Sequence, residues 1–187
     1  LKIYPKFKNL LLYKCRQATA RFKEITLKFS KKIIVFHDSN IKRLAGIDRL
    51  VKDISYDELS KVKLLNTNDT IPTLEMVLKL IDGKCLLLIE IKDMLSNNTL
   101  KELDRLLLDY NGEVLIQSFN PLMLRKTAYT SLKRYKIGIL LSNSYKGFKK
   151  SLYDAFMYKY FIKQKYISFI SSPKELIFNV KEVSLKE

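Results

Sequence analysis

Residues 85–92 read CLLLIEIK, and this stretch decides the fold. Aliphatic side chains fill most of its positions, which is typical of a strand covered on both faces in a parallel sheet. Glu90 and Lys92 stand two residues apart, so a strand projects both side chains from the same face. A buried charge is unfavourable unless it is paired or binds an ion. The stretch therefore predicts a buried strand with either an internal salt bridge or a carboxylate and a cation for phosphate chemistry.

Similar apolar runs lie on both sides of this strand. They span residues 32–37, 113–117, 136–141 and 166–170. Segments with a helical period separate them, at residues 73–81, 99–108, 121–132 and 147–161. This alternation predicts an α/β fold with a parallel sheet and helical crossovers, either as a barrel or as an open doubly wound sheet.

The stretch 38–71 is different, because it is polar and has little periodicity beyond a short helix predicted at 56–62. We interpret it as an insertion at the strand ends, where parallel-sheet proteins build their sites. His37, the only histidine of the chain, ends the preceding apolar run IIVFHD. A histidine at a strand end can transfer a proton near neutral pH, or it can simply form a hydrogen bond in a loop.

Composition limits the remaining possibilities. A chain of 187 residues with 47% hydrophobic residues predicts one domain over 1–187. The net charge of +16 attracts anions, but the lysines are dispersed, which favours a solvated surface and no nucleic-acid partner. A basic nucleic-acid-binding domain stays open as an alternative on charge alone. Cys15 and Cys85 lack metal-ligand spacing and indicate reduced thiols in the cytoplasm, and no apolar run reaches the ~20 residues of a transmembrane segment.

Four blocks occur in a specific order: IIVFHD, IPTLEMVLKL, LLLIEIK and VLIQSFNP. Together with the polar insertion, they resemble the glycerophosphodiester phosphodiesterase family from about residue 31 to about residue 171. A related sphingomyelinase-type phospholipase matches the insertion and IPTLEMVLKL less well. The resemblance implies a TIM-barrel-like fold with a small insertion. It also implies hydrolysis of a small-molecule glycerophosphodiester to glycerol 3-phosphate and an alcohol in lipid metabolism, with Mg²⁺ or Ca²⁺ as the cofactor.

The resemblance also implies roles for single residues. His37 would be one of two acid/base histidines, Glu90 a metal ligand and Lys92 a contact to the substrate phosphate. Phe119, in SFNP, would lie near the rim of the pocket. In the family mechanism the glycerol 2-hydroxyl attacks phosphorus while one histidine takes its proton, and the second histidine protonates the leaving alcohol.

The opening segment, residues 1–30, departs from the family pattern. Cys15-Arg16-Gln17 stands where the family has His-Arg-Gly, and Glu24-Ile25-Thr26 stands where it has Glu-x-Asp. This alignment keeps Arg16 as a substrate contact and Glu24 as a second metal ligand. It predicts a barrel whose first two strands and last strand are degenerate or missing, with unclosed edges that favour pairing with a second copy.

With one histidine, the two-histidine relay cannot operate as the family runs it. The members of a catalytic unit act together, so the loss of one removes most of the rate. The sequence therefore leaves two hypotheses open. The chain is either a phosphodiesterase with reduced or lost activity, or an inactive relative that binds glycerophosphodiesters or a partner.

Overall fold

The computed structural model describes residues 20–26, 32–65, 67–141, 160–161 and 164–171, and for 20–26 it gives the backbone alone. In this part of the chain six strands form one sheet: β1 Ala20–Thr26, β2 Ile33–Val35, β3 Leu87–Ile91, β4 Val114–Ser118, β5 Lys136–Leu140 and β6 Ile167–Ser171. The α-helices are α1 Lys42–Ala45, α2 Tyr56–Leu59, α3 Leu74–Ile81, α4 Asn97–Leu108 and α5 Pro121–Ala128. Short 3₁₀ helices lie between α1 and α2, at Val51–Asp53, and after α5, at Ser131–Arg134.

The strand order is β2–β1–β3–β4–β5–β6, and every neighbouring pair except β1–β2 is parallel. This confirms the predicted parallel sheet for four of the five predicted runs, and β1, which was not among them, is a fifth parallel strand. The run 32–37 behaves differently, because its strand β2 pairs antiparallel to β1 at the edge. Only residues 27–32 connect these two strands, and a parallel crossover needs about a dozen residues or more.

The predicted helices begin where side chains cap them. Thr73 caps α3 by accepting from Met76 N, Ser96 caps α4 by accepting from Thr99 N, and Asn120 precedes Pro121 at the start of α5. The predicted helix 121–132 ends early, at Ala128, and continues as a 3₁₀ turn. The helix predicted at 147–161 lies outside the described residues except for its last two.

The main core lies between the helices and one face of the sheet. Ile89 and Ile91 of β3 are buried there against Val77 of α3 and Leu103 of α4. Side chains alternate along a strand, so Glu90 projects from the opposite face of the same strand. The helix-covered face is therefore apolar, and the opposite face carries the charged residue that the sequence singled out.

The insertion and the segment around β2 share a second hydrophobic core. Its buried members are Ile34, Phe36, Ile41, Val51, Ile54, Leu59 and Ile71. Their irregular spacing explains why the sequence shows no period, since successive turns and short helices contribute one residue each. The short helix predicted at 56–62 is confirmed as α2, which Ser55 and Glu58 start with a reciprocal capping box.

Gly138 allows β5 and β6 to pack closely. A Cβ at this position would lie 2.2 Å from a ring carbon of Phe169, its register partner on β6. Any side chain here would expel the ring, so glycine is required by the close approach. The aromatic ring therefore lies against the backbone of β5 at the level of Gln117 on β4.

Candidate active site

Two motifs that are far apart in sequence meet at the end of β3. Lys92 follows the last residue of this strand, and its Nζ donates a 2.7 Å hydrogen bond to the backbone oxygen of His37. The two residues are 55 positions apart. Because Lys92 lies at the carboxyl end of a parallel strand, this contact places the backbone of His37 at the edge where such sheets build their sites.

His37 reaches this edge by a path that differs from the predicted one. It does not end a parallel strand, because β2 is antiparallel to β1. Its side chain is 69% exposed, and Nδ1 lies 2.5 Å from Oδ1 of Asp38. The imidazole is therefore accessible to a ligand and is oriented by one carboxylate.

Asp38 is itself held by a third residue. Arg43 Nε donates to its Oδ2 at 2.7 Å. The bond from Arg43 and the bond to His37 lower the pKa of the Asp38 carboxyl from 3.8 to about 2. An ionised carboxylate can only accept, so Nδ1 of His37 carries the proton, and Nε2 keeps its lone pair in the neutral ring.

The low pKa of Asp38 predicts a pH dependence of stability. A carboxyl whose folded pKa is depressed stabilises the fold above its unfolded pKa of 3.8, and this contribution is lost as the pH falls towards about 2. We expect Asp38→Asn to be less stable at pH 7 by roughly 1 kcal/mol and to lose less stability than wild type between pH 4 and pH 2. Urea unfolding followed by circular dichroism over this range measures the difference. Equal acid sensitivity of the two proteins would contradict the assigned cause.

The sheet face that bears Glu90 also carries a second buried polar residue. Glu90 is 6% exposed and is the register partner of Gln117 on β4, which is 1% exposed. Register partners in a parallel sheet project side by side, at the ~4.8 Å spacing of neighbouring strands. Lys92 lies two residues after Glu90, just past the end of β3, and is partly buried.

Phe119 lies one residue past the end of β4, and its side chain is 45% exposed. It follows Gln117 at an alternate position, so it continues the same row towards the carboxyl edge. Its place at a pocket rim and its contact with substrate stay predictions.

The remaining two predicted site residues stay untested. Arg16 lies outside the described residues. Glu24 lies on β1, where its backbone pairs in register with Ile91 of β3 and Val35 of β2, while the register partner of Glu90 is Lys23. The metal-binding role of Glu24 therefore remains a prediction.

A divalent cation has a suitable donor type at this face. Glu90 supplies a carboxylate and Gln117 an amide oxygen, and Mg²⁺ and Ca²⁺ prefer oxygen ligands. Among the described residues, no group of three or more His, Cys, Asp or Glu side chains could hold a metal by itself. Glu90 and Gln117 therefore fit such an ion by donor type, and the other ligands would have to be water, substrate or further residues.

Sequence reasoning missed the roles of Arg43 and Gln117. Arg43 lies six positions after His37 within an insertion of mixed charge, and nothing in the spacing indicates that it binds Asp38. Gln117 was included in a predicted strand as an ordinary member. Its burial beside Glu90 depends on the register between β3 and β4, which single-strand patterns do not contain.

No helix in the part of the chain described by the structure combines the length and the apolar character needed to cross a membrane.

The chain was compared with curated protein sequences and with solved structures. No curated protein sequence matches the chain. A solved structure of a putative glycerophosphoryl diester phosphodiesterase from Agrobacterium tumefaciens is 15% identical, with a TM-score of 0.66 over 87% of this chain and 68% of that chain. This similarity shows the TIM-barrel-like α/β fold. A glycerophosphoryl diester phosphodiesterase from Parabacteroides distasonis is 16% identical over 88% of this chain and 76% of that chain, with a TM-score of 0.43.

The family model of the glycerophosphoryl diester phosphodiesterases matches residues 29–175. The match contains His37, Glu90, Lys92 and Phe119, and it begins after Glu24. It covers well over half of the chain, and it includes the insertion and the strands from β2 to β6. The chain therefore belongs to the glycerophosphoryl diester phosphodiesterase family.

Proposed function

We propose that the chain hydrolyses glycerophosphodiesters to glycerol 3-phosphate and an alcohol, in a reaction that depends on a divalent cation. The observation that carries this proposal is the bond from Lys92 Nζ to the backbone of His37. It joins the FHD and IEIK motifs at one edge of the sheet, so that a cation lies against the backbone of the residue proposed to transfer the proton. Phosphoryl transfer needs this combination, because negative charge grows on oxygen while a proton leaves the nucleophile.

His37 is the proton acceptor in this proposal. With Nδ1 bonded to the Asp38 carboxylate, Nε2 is the nitrogen that faces a substrate hydroxyl. The glycerol 2-hydroxyl forms the new bond to phosphorus, its proton goes to Nε2, and the bond from phosphorus to the alcohol oxygen breaks. This step leaves a cyclic glycerol phosphate, which water opens to glycerol 3-phosphate in a second step. Asp38 then stabilises the imidazolium, as a buried carboxylate does in other acid–base pairs.

The proton for the leaving alcohol must come from another source than a second histidine. The chain has one histidine, so we expect water to supply this proton and turnover to be slow. Lys92 contacts a phosphate oxygen in this proposal, and Phe119 lines the rim. A divalent cation held by Glu90 would neutralise charge on the phosphoryl oxygens.

The single histidine also favours a second candidate function. A family member without the relay could bind a glycerophosphodiester without cleaving it, since Lys92 and Glu90 do not depend on a second histidine. The two functions share their ligand and differ in product release.

The proposal predicts a cation-dependent activity that needs Glu90. Glycerol 3-phosphate released from glycerophosphocholine and glycerophosphoethanolamine is measured in a coupled assay, with Mg²⁺, with Ca²⁺ and with chelator. We expect product only with the cation. Loss of a residue that supports a metal ligand typically reduces activity ~10–100-fold. Glu90→Gln changes a ligand itself, so we expect its loss of activity to be larger than this range.

Glu113→Gln is the matched control. Glu113 precedes β4 at the opposite, amino end of the sheet, and its Oε1 accepts from Lys136 Nζ at 2.9 Å on the surface. It should keep wild-type activity. Product formation that is insensitive to chelator would reject the cation. No product from folded protein, together with measurable glycerophosphocholine binding by calorimetry, would establish the inactive binding relative instead.

A further inference from the structure

The amide of Gln117 is in an unusual position. The side chain is 1% exposed at the middle of the sheet, and its Oε1 is buried without a hydrogen-bond partner. Buried polar atoms in folded proteins nearly always have partners, because an unsatisfied acceptor loses its hydration and gains nothing in return. An exception of this kind needs an explanation, and a bound ion is one that would supply the missing interaction.

The surroundings of Gln117 limit what this ligand can be. On one side lies its register partner Glu90, and on the other lies Gly138, whose missing side chain is replaced by the ring of Phe169. The row thus contains a buried carboxylate and a buried amide, with the partly exposed ring of Phe169 beyond Gly138, and its next backbone position on β1 is Lys23. An acceptor oxygen next to a carboxylate suits a cation, since an anion or another acceptor would be repelled there.

The chemistry of the amide oxygen is compatible with the same ligand. Oε1 is buried from solvent and accepts no hydrogen bond. Mg²⁺ and Ca²⁺ accept amide oxygens alongside carboxylates as ligands.

We propose that Gln117 is an oxygen ligand of the divalent cation that Glu90 holds. The inference rests on the proposed function, because it concerns the same cation. A neutral side chain of β4 thereby joins the carboxylate of Glu90 as a metal ligand.

The test is calorimetric titration of the full chain with Mn²⁺, together with thermal unfolding in the absence of metal. Gln117→Met keeps the length of the side chain and removes the oxygen, so Mn²⁺ affinity should fall at least ~10-fold. Without metal, this variant should unfold at the wild-type temperature or above it, since the unsatisfied oxygen is gone. Gln117→Glu supplies an oxygen again and should bind Mn²⁺ at least as tightly as wild type.

Ser118→Ala is the matched control on the same strand. Ser118 is fully buried, and its Oγ donates to the backbone oxygen of Ile91 at 2.5 Å. This variant should unfold at a lower temperature and bind Mn²⁺ as wild type does. A Gln117→Met protein that likewise unfolds earlier and keeps wild-type affinity would overturn the inference in favour of a structural role.

Failure of the inference and failure of the proposed function give different results. Wild-type binding that is lost in Glu90→Gln but unchanged in Gln117→Met overturns the inference alone. Absence of Mn²⁺ binding by wild type overturns the inference and also the cation requirement of the proposed function. Should Gln117→Met fail to fold, the affinity of Gln117→Glu decides, and a value below that of wild type overturns the inference.

Discussion

Replacing His37 with alanine is expected to reduce the release of glycerol 3-phosphate by roughly 10²–10⁴-fold, the usual contribution of general acid–base catalysis. The chain contains no second histidine to take over the proton. Because 69% of the side chain is exposed, the substitution should leave the unfolding temperature close to that of wild type. Steady-state assays with glycerophosphocholine, together with thermal unfolding, measure both effects.

Asp38→Asn separates the chemical role of His37 from its orientation. The amide can still bond to the ring, but it removes the negative charge that fixes the proton on Nδ1 and stabilises the imidazolium. We expect a smaller loss of kcat than in His37→Ala and a changed pH profile of kcat/KM. An active His37→Ala protein would reject His37 as the catalytic residue, and an unchanged pH profile in Asp38→Asn would reject the positioning role of Asp38.

The largest effect on stability is expected from Asp104→Ala. Asp104 of α4 is 8% exposed, and both of its oxygens accept from Nη2 of Arg134, at 2.5 and 2.6 Å. Ser131 Oγ donates to the same carboxylate at 2.5 Å. Removing it breaks the connection from α4 to the 3₁₀ helix before β5 and leaves the Arg134 guanidinium without its carboxylate partner. We expect the free energy of unfolding to fall by about 2–4 kcal/mol, since Arg134 is partly exposed and can regain water.

Denaturant unfolding of Asp104→Ala and of a surface-pair variant measures this effect. Glu113→Ala also removes a carboxylate, which forms an ion pair with Lys136. Both side chains of this pair are more than half exposed. Such pairs typically contribute about 0.2–1 kcal/mol. Equal losses in the two variants would show that burial of the Asp104 carboxylate adds nothing to its contribution.

Much of the fold could be predicted from local patterns. The buried strand with Glu90, the helix that begins after Thr73 and the helix that ends at Leu108 all follow from periodicity and capping residues. These signals are local, because a side chain faces the core or the solvent according to its place in a period of 2 or 3.6 residues. The C-terminal boundary of α5 could not be predicted in this way. The helix ends at Ala128 and not at residue 132, because the 3₁₀ turn that follows keeps a partly apolar pattern.

The direction of β2 could not be read from its own residues. The run IIVFH is as apolar as the parallel strands, so its composition favours a parallel strand and does not reveal the antiparallel pairing with β1. The short connection after β1 decides it, together with the pairing of Glu24 with Val35. Likewise, the core of the insertion includes Phe36 and Ile71, whose contact depends on the path of the chain between them.

The sequence by itself determined the family and the α/β class, and it predicted His37, Glu90 and Lys92 as candidate site residues. Those are properties of residue types and their order along the chain. Only the tertiary structure decided that Lys92 binds the backbone of His37, that Arg43 holds Asp38 and that Gln117 is buried beside Glu90. Each of these depends on strand register or on a loop path, where a shift of one residue would place a different side chain at the same point.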